Sequence, residues 1–112
     1  MHCTLCEGVV VACVTGEIDM SNARDLETAI LNSTQRESRG LLLDLSETTY
    51  IDSAGIQLIF ELRERLQARG QRFELVITGS SPVDHALRLA GVKGGVSSAA
   101  SVDDGLQALL QG

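Results

Sequence analysis

LLLDLSETTYIDSAGIQLIF, residues 41–60, runs from an apolar strand through a polar loop into an amphipathic helix. Leu41, Leu42, Leu43 and Leu45, interrupted by Asp44, form the short apolar run of a strand buried on both faces, as in a parallel sheet. Residues 46–50 read as a loop. From Ile56 onward, Ile59, Phe60, Leu62 and Leu66 recur at helical spacing among Glu61, Arg63, Glu64 and Arg65. Asp52-Ser53-Ala54-Gly55 therefore falls where the helix begins, with Ser53 at or just inside its N-terminus.

The first turn of a helix has backbone N–H groups without partners and a partial positive charge, so it favours an anion. A serine there has two readings. It can cap the helix, or it can carry a phosphate that the same dipole stabilises. Asp44, at the strand end, is expected to accept hydrogen bonds from loop amides.

On the N-terminal side, residues 2–6 read as a short first strand, and Glu7-Gly8 turns into a β-branched second strand over residues 9–15. Residues 16–20 read as a loop. Ser21 or Asn22 then caps a helix whose inner face carries Ala23, Leu26, Ala29 and Ile30. On the C-terminal side, Gly70 is placed to end the motif helix, and Glu61 with Arg65 forms a favourably oriented i,i+4 pair. Residues 73–77 form a strand. Ser81-Pro82-Val83-Asp84 starts a helix that Gly91 ends, and Ser101 with Asp104 caps a last one. The glycine-rich piece Gly94-Gly95-Val96-Ser97-Ser98 predicts a short edge strand or a loop.

Strands alternating with helices give βαβ units and right-handed crossovers. The expected fold class is α/β, with four to five strands in a mostly parallel mixed sheet and about four helices. The loops after the second, third and fourth strands then lie at one end of the sheet, which can bring Asp19 beside Ser53.

A length of 112 residues predicts a single domain spanning 1–112. With 44% apolar residues but only three aromatics, the core is built from Leu, Ile, Val and Ala. The net charge of −6 argues against nucleic acid and anionic membrane as partners and favours a protein with a basic docking face. No apolar run approaches a membrane span, and no basic segment leads into an apolar one at the N-terminus, so a cytoplasmic location is expected. Cys3, Cys6 and Cys13 are an odd set. Cys3-x-x-Cys6 has metal or redox spacing but no second pair, and Cys13 reads as core.

Enzyme readings lack parts. Neither His2 nor His85 belongs to a recognisable triad, and Asp-Ser-Ala-Gly lacks the leading glycine of a nucleophile elbow. Asp19, Asp44 and Asp52 with Lys93 imitate a phosphoaspartate receiver poorly, and no phosphate-binding glycine loop is present.

Gly16-Glu17-Ile18-Asp19, followed after one helix by LLLDLSETTYIDSAG and then by helix, strand and a Ser-Pro-initiated helix, resembles the bacterial STAS domain. Within that family it is similar to the anti-sigma-factor antagonists. The resemblance covers residues 9–110, and Ala54 departs from the more frequent Ser or Thr. It implies that Ser53 is the acceptor for a partner kinase, and that Asp52 and Gly55 shape the acceptor turn. Asp19 with Ser21 and Asn22 is implied as an adjoining docking loop. Ile51 and Ile56 are either apolar anchors or core. Thr48, Thr49, Ser80 and Ser81 are either rim contacts or turn residues.

The implied mechanism is partner switching. The dephosphorylated protein binds an anti-sigma factor that is also its serine kinase, phosphorylation of Ser53 dissolves the complex, and a serine phosphatase resets it. The protein itself would be no enzyme and hold no cofactor or metal, since ATP and Mg²⁺ come with the kinase. STAS domains also act as non-switching scaffolds, as accessory subunits of lipid-transport ATPases and as cytosolic parts of anion transporters, which is the alternative.

Overall fold

The computed structural model describes residues 1–92 and 95–111. The first strands, β1 (His2–Cys6) and β2 (Val9–Cys13), form an antiparallel hairpin; β3 (Gly16–Ile18) and α1 (Ala23–Ser33) follow. Next come β4 (Gly40–Asp44), β5 (Thr48–Ile51) and α2 (Ser53–Ala68). The chain continues through β6 (Arg72–Val76), α3 (Pro82–Leu89), β7 (Ser98–Ala99) and α4 (Val102–Leu110).

The main sheet has the order β1-β2-β4-β6-β7, and every pair beyond the first is parallel. β4 sits at its centre because it can bury both faces. Leu41 and Leu43 point into a core shared with Ile30 of α1, Ile59 and Leu62 of α2, and Leu87 of α3. Leu42 points to the other face, where it meets Val9, Val76 and Leu109 of α4. Successive residues of a strand face opposite ways, so an uninterrupted Leu run needs helices on both sides. Gly105 is why α4 can lie close: a Cβ there would stand 2.6 Å from Leu42 Cδ1. The short β7 is the expected edge strand, while Gly94 lies outside the described residues, as does Lys93.

Two expected loops are strands. β3 and β5 pair in parallel as a separate two-stranded ribbon, with Ile18 beside Ile51. The pairing of β2 with β4 continues past the sheet end, Val14 N–H donating to the Asp44 carbonyl (3.1 Å) and Gly16 N–H to the Glu47 carbonyl (3.1 Å). The two chains thus leave the sheet together and keep their partnership. Thr48, for which a rim contact and a turn residue were both open, is buried in β5 and donates its hydroxyl to the Val14 carbonyl at 2.7 Å.

The Glu61–Arg65 pair is also corrected. Arg65 reaches across to Glu27 of α1, Nε to Oε2 3.8 Å, a contact between helices instead of within one. The start of α3 is as expected: Asp84 N–H donates to Ser81 Oγ (3.1 Å), with Pro82 in the first turn. Ser81 is thereby a cap. After α2, Gly70 takes the positive φ of 73° that helix ends favour.

Candidate functional site

Asp52 and Ser53 divide the work at the start of α2. Asp52 is the N-cap, and its Oδ1 accepts from the amides of Ala54 (2.9 Å) and Gly55 (3.1 Å). Ser53, the first helical residue, is exposed, and among the described residues no group hydrogen-bonds with its hydroxyl. Capping is therefore done by the aspartate, and the serine is left presented to solvent.

Asp52 also joins two segments. Its Oδ2 accepts from Met20 N–H (3.3 Å), and its own N–H donates to the Ile18 carbonyl (3.2 Å). The loop before α1 is so fastened to the first turn of α2, which brings the Asp19 segment to the neighbourhood of Ser53. Replacing Asp52 with Ala removes the cap and the tether together. Loss of an N-cap costs about 0.5–2 kcal/mol, and a domain of roughly this size loses about 4–8 °C of Tm per kcal/mol. Thermal denaturation of Asp52→Ala should show a fall of that order, and Asp52→Asn, which keeps an acceptor, a smaller one.

The loop itself is built on local hydrogen bonds. Asp19 Oδ1 accepts from the Ser21 amide (2.9 Å) and from its hydroxyl. Asn22 stands at the N-cap position of α1 but makes no cap bond. Its Nδ2 donates to the Glu17 carbonyl (2.8 Å) and its Oδ1 accepts from Asp19 N–H (3.0 Å), so it clamps the loop onto β3. The Ser21 hydroxyl and amide hold the Asp19 carboxyl below its ordinary value, so it is ionised at neutral pH.

The remaining candidates separate by burial. Ile51 is only 5% exposed and lies in the core, so of its two open readings, apolar anchor or core, the structure favours the core. Ile56 is half-buried against the same core. Gly55 is buried, and a Cβ on it would stand 2.5 Å from Ile51 Cγ1 and 2.9 Å from Ile18 Cγ2. It is the residue that lets α2 close on the ribbon. Thr49 is exposed on β5, and Ser80, exposed before α3, takes a φ of +64°.

Sequence reasoning passed over Met20, which is 83% exposed beside the first turn of α2. Its signal was a single apolar residue inside the polar run Asp19-Met20-Ser21-Asn22. Tyr50, 51% exposed on β5, is a second aromatic or apolar group on the outer surface.

His2 and His85 are exposed on β1 and α3, and among the described residues no group of three His, Cys, Asp or Glu side chains is placed to hold a metal ion. Cys13, half-buried, has its thiol pushed up to about 11 by burial and by its hydrogen bond to Glu47 (3.3 Å), with Asp44 adding to the effect. It stays protonated and is a poor nucleophile at neutral pH. Asp44 accepts from Ser46 N–H (2.9 Å), the loop-amide bond expected of it.

Residues 5–105 match the model of the STAS domain family. A Bordetella bronchiseptica protein, BtrV, named as a candidate anti-sigma factor antagonist, is 31% identical over 77 residues, which are 68% of this chain and 64% of BtrV. The chain thus spans somewhat under two thirds of that relative's length. The crystal structure of an anti-sigma factor antagonist from Mycobacterium paratuberculosis superposes with a TM-score of 0.85 at 28% identity, covering 97% of this chain and 92% of that one. A Thermotoga maritima structure at 18% identity shares the fold, with a TM-score of 0.86 over 97% of this chain and 93% of its own.

Proposed function

This chain belongs to the STAS domain family, and on that premise we propose that it is an anti-sigma-factor antagonist that switches partners through Ser53. The observation that carries the reading is the division of labour at the α2 N-terminus. A serine kept only as a cap would be engaged with the helix amides, whereas here Asp52 holds the amides of Ala54 and Gly55 and the Ser53 hydroxyl projects into solvent. The two relatives described as anti-sigma factor antagonists support the general role.

Unphosphorylated, the acceptor turn and the loop of Asp19, Ser21 and Asn22 dock on an anti-sigma factor with serine kinase activity. Asp52 and Gly55 set the shape of the turn, Ile56 backs it, and Ile51 acts from inside the core by supporting Gly55. The kinase supplies ATP, Mg²⁺ and the base, and this protein supplies an accessible hydroxyl on a rigid helix start. Transfer forms the Ser53 Oγ–P bond and breaks the bond between the γ-phosphorus and the ADP oxygen; the serine proton passes to the kinase base. The product carries about −1.5 to −2 extra charge beside Asp19 and Asp52, and the complex dissolves. A serine phosphatase restores the binding form. The protein acts as a regulatory binding module, not as an enzyme.

Intact mass after incubation with anti-sigma kinases and Mg-ATP tests this directly. One added phosphate on wild type and none on Ser53→Ala is expected. A kinase that binds the wild-type protein and leaves its mass unchanged would point instead to a non-switching STAS scaffold.

A further inference from the structure

Between α1 and α2 lies an open groove of about 700 Å³ that begins at Met20 and Ala54, the neighbours of the acceptor turn, and extends along both helices. Its floor is apolar, with Ala23 and Leu31 from α1 and Ala54 and Leu58 from α2. Eight residues along a helix span about 12 Å, so the floor is roughly two turns long.

The walls are charged. Arg24, Arg65 and Arg69 line the groove with Glu27 and Glu61, so three of the nine basic residues of a chain of net charge −6 meet in one place. Arg69 is tied to the Thr34 carbonyl (3.1 Å). Arg65 is 60% exposed and only loosely paired with Glu27, and Arg24 is exposed. The acceptor end has the opposite sign, through Asp19 and Asp52.

We infer that this groove seats an acidic amphipathic helix of the partner protein. Its apolar side chains lie on the alanine and leucine floor, its carboxylates face Arg24 and Arg65, and a basic group of the same partner meets Asp19 and Asp52. A helix in a groove presents anchors at i, i+3, i+4 and i+7, which suits a floor two turns long. The reversal of charge from one end of the surface to the other permits one docking direction and penalises the reverse. Met20, flexible and polarizable, adapts to the helix at the mouth. The inference rests on reading the Ser53 turn as a docking surface, and replaces a uniformly basic partner face with a two-signed one.

The test uses the ¹⁵N-labelled chain and two synthetic amphipathic helices with identical apolar residues, one carrying Glu and the other Lys at its polar positions. Saturable NMR shifts at Ala23, Arg24, Ala54 and Gln57 are expected with the Glu peptide, and binding about tenfold or more weaker with the Lys peptide. The double variant Arg24→Glu/Arg65→Glu should weaken the Glu peptide by a similar factor, and Arg24→Ala by less. Equal response to both peptides, shifts centred elsewhere, or no response to the Glu peptide overturns the inference. A kinase that phosphorylates wild type and the double variant at the same KM also overturns it while leaving the Ser53 switch intact. Groove binding of the Glu peptide without phosphorylation of Ser53 by any kinase would uphold the groove and remove the switch.

Discussion

Ser53→Asp is expected to lower affinity for the anti-sigma partner by about a hundredfold, which corresponds to about 2.8 kcal/mol. The physical cause is a third carboxylate added to a turn that already holds two. Asp19 is kept ionised by Ser21, and Asp52 is committed to the amides of Ala54, Gly55 and Met20. A new negative charge at Ser53 finds the nearest helix amides already occupied, so on docking it is desolvated beside like charges, a situation that costs several kcal/mol. The fold should not suffer, because an acidic residue in the first turn of a helix is favourable in an isolated chain. Calorimetric titration with the identified partner, alongside the melting curve, separates these effects. Affinity lost at an unchanged Tm is the expected pair of results, with Ser53→Ala binding within a few-fold of wild type. Wild-type affinity in Ser53→Asp would mean that Ser53 lies outside the contact surface.

The second large effect is at Gly55. Replacing it with Ala puts a methyl 2.5 Å from Ile51 Cγ1 and 2.9 Å from Ile18 Cγ2, closer than carbon atoms approach without contact strain. Both isoleucines are buried and paired across the β3–β5 ribbon, so neither can swing into solvent. Overpacking of this kind costs about 1–3 kcal/mol, and the better helix propensity of Ala over Gly offsets up to about 1 kcal/mol of it. A net fall in Tm of several degrees is expected, and more in Gly55→Val. The relief available is a shift of the ribbon away from α2, which moves Ile18 and the loop that follows it. Partner affinity should therefore fall with stability, unlike in Ser53→Asp. A Tm equal to or above wild type would show that the ribbon yields freely.

The parts of the fold legible in the sequence are those in which a local pattern has one physical meaning. Leu41 to Leu43 read as a strand covered on both faces, Ser81-Pro82 with Asp84 as a helix start, and Asp52-Ser53 as the region where α2 begins, which is where the structure has them. The ribbon was not legible. Gly16-Glu17 and Ser46-Glu47-Thr48-Thr49 have the composition of loops, and they pair only because β2 and β4 leave the sheet side by side. The inward side of Ile51 was undecided for the same reason, since without a strand there is no face to assign.

At the candidate site the residue types were visible and their duties were not. Whether Ser53 capped the helix could not be read from Asp-Ser-Ala-Gly, because aspartate and serine are both good caps and one residue apart. Asn22 looked like a cap and serves as a clamp on β3, and Arg65 looked like a partner for Glu61 and reaches Glu27. Periodicity, turn chemistry and net charge are properties of neighbouring residues, so the sequence by itself determined the strand and helix alternation, the place of Ser53 at a helix start and the acidic character of the chain. The tertiary structure alone decided that Asp52 binds α2 and the Met20 loop at once, that Gly55 closes the helix on the ribbon, and that three arginines from two helices share one groove. Those are contacts between segments far apart in the chain, set by packing, for which no local pattern exists.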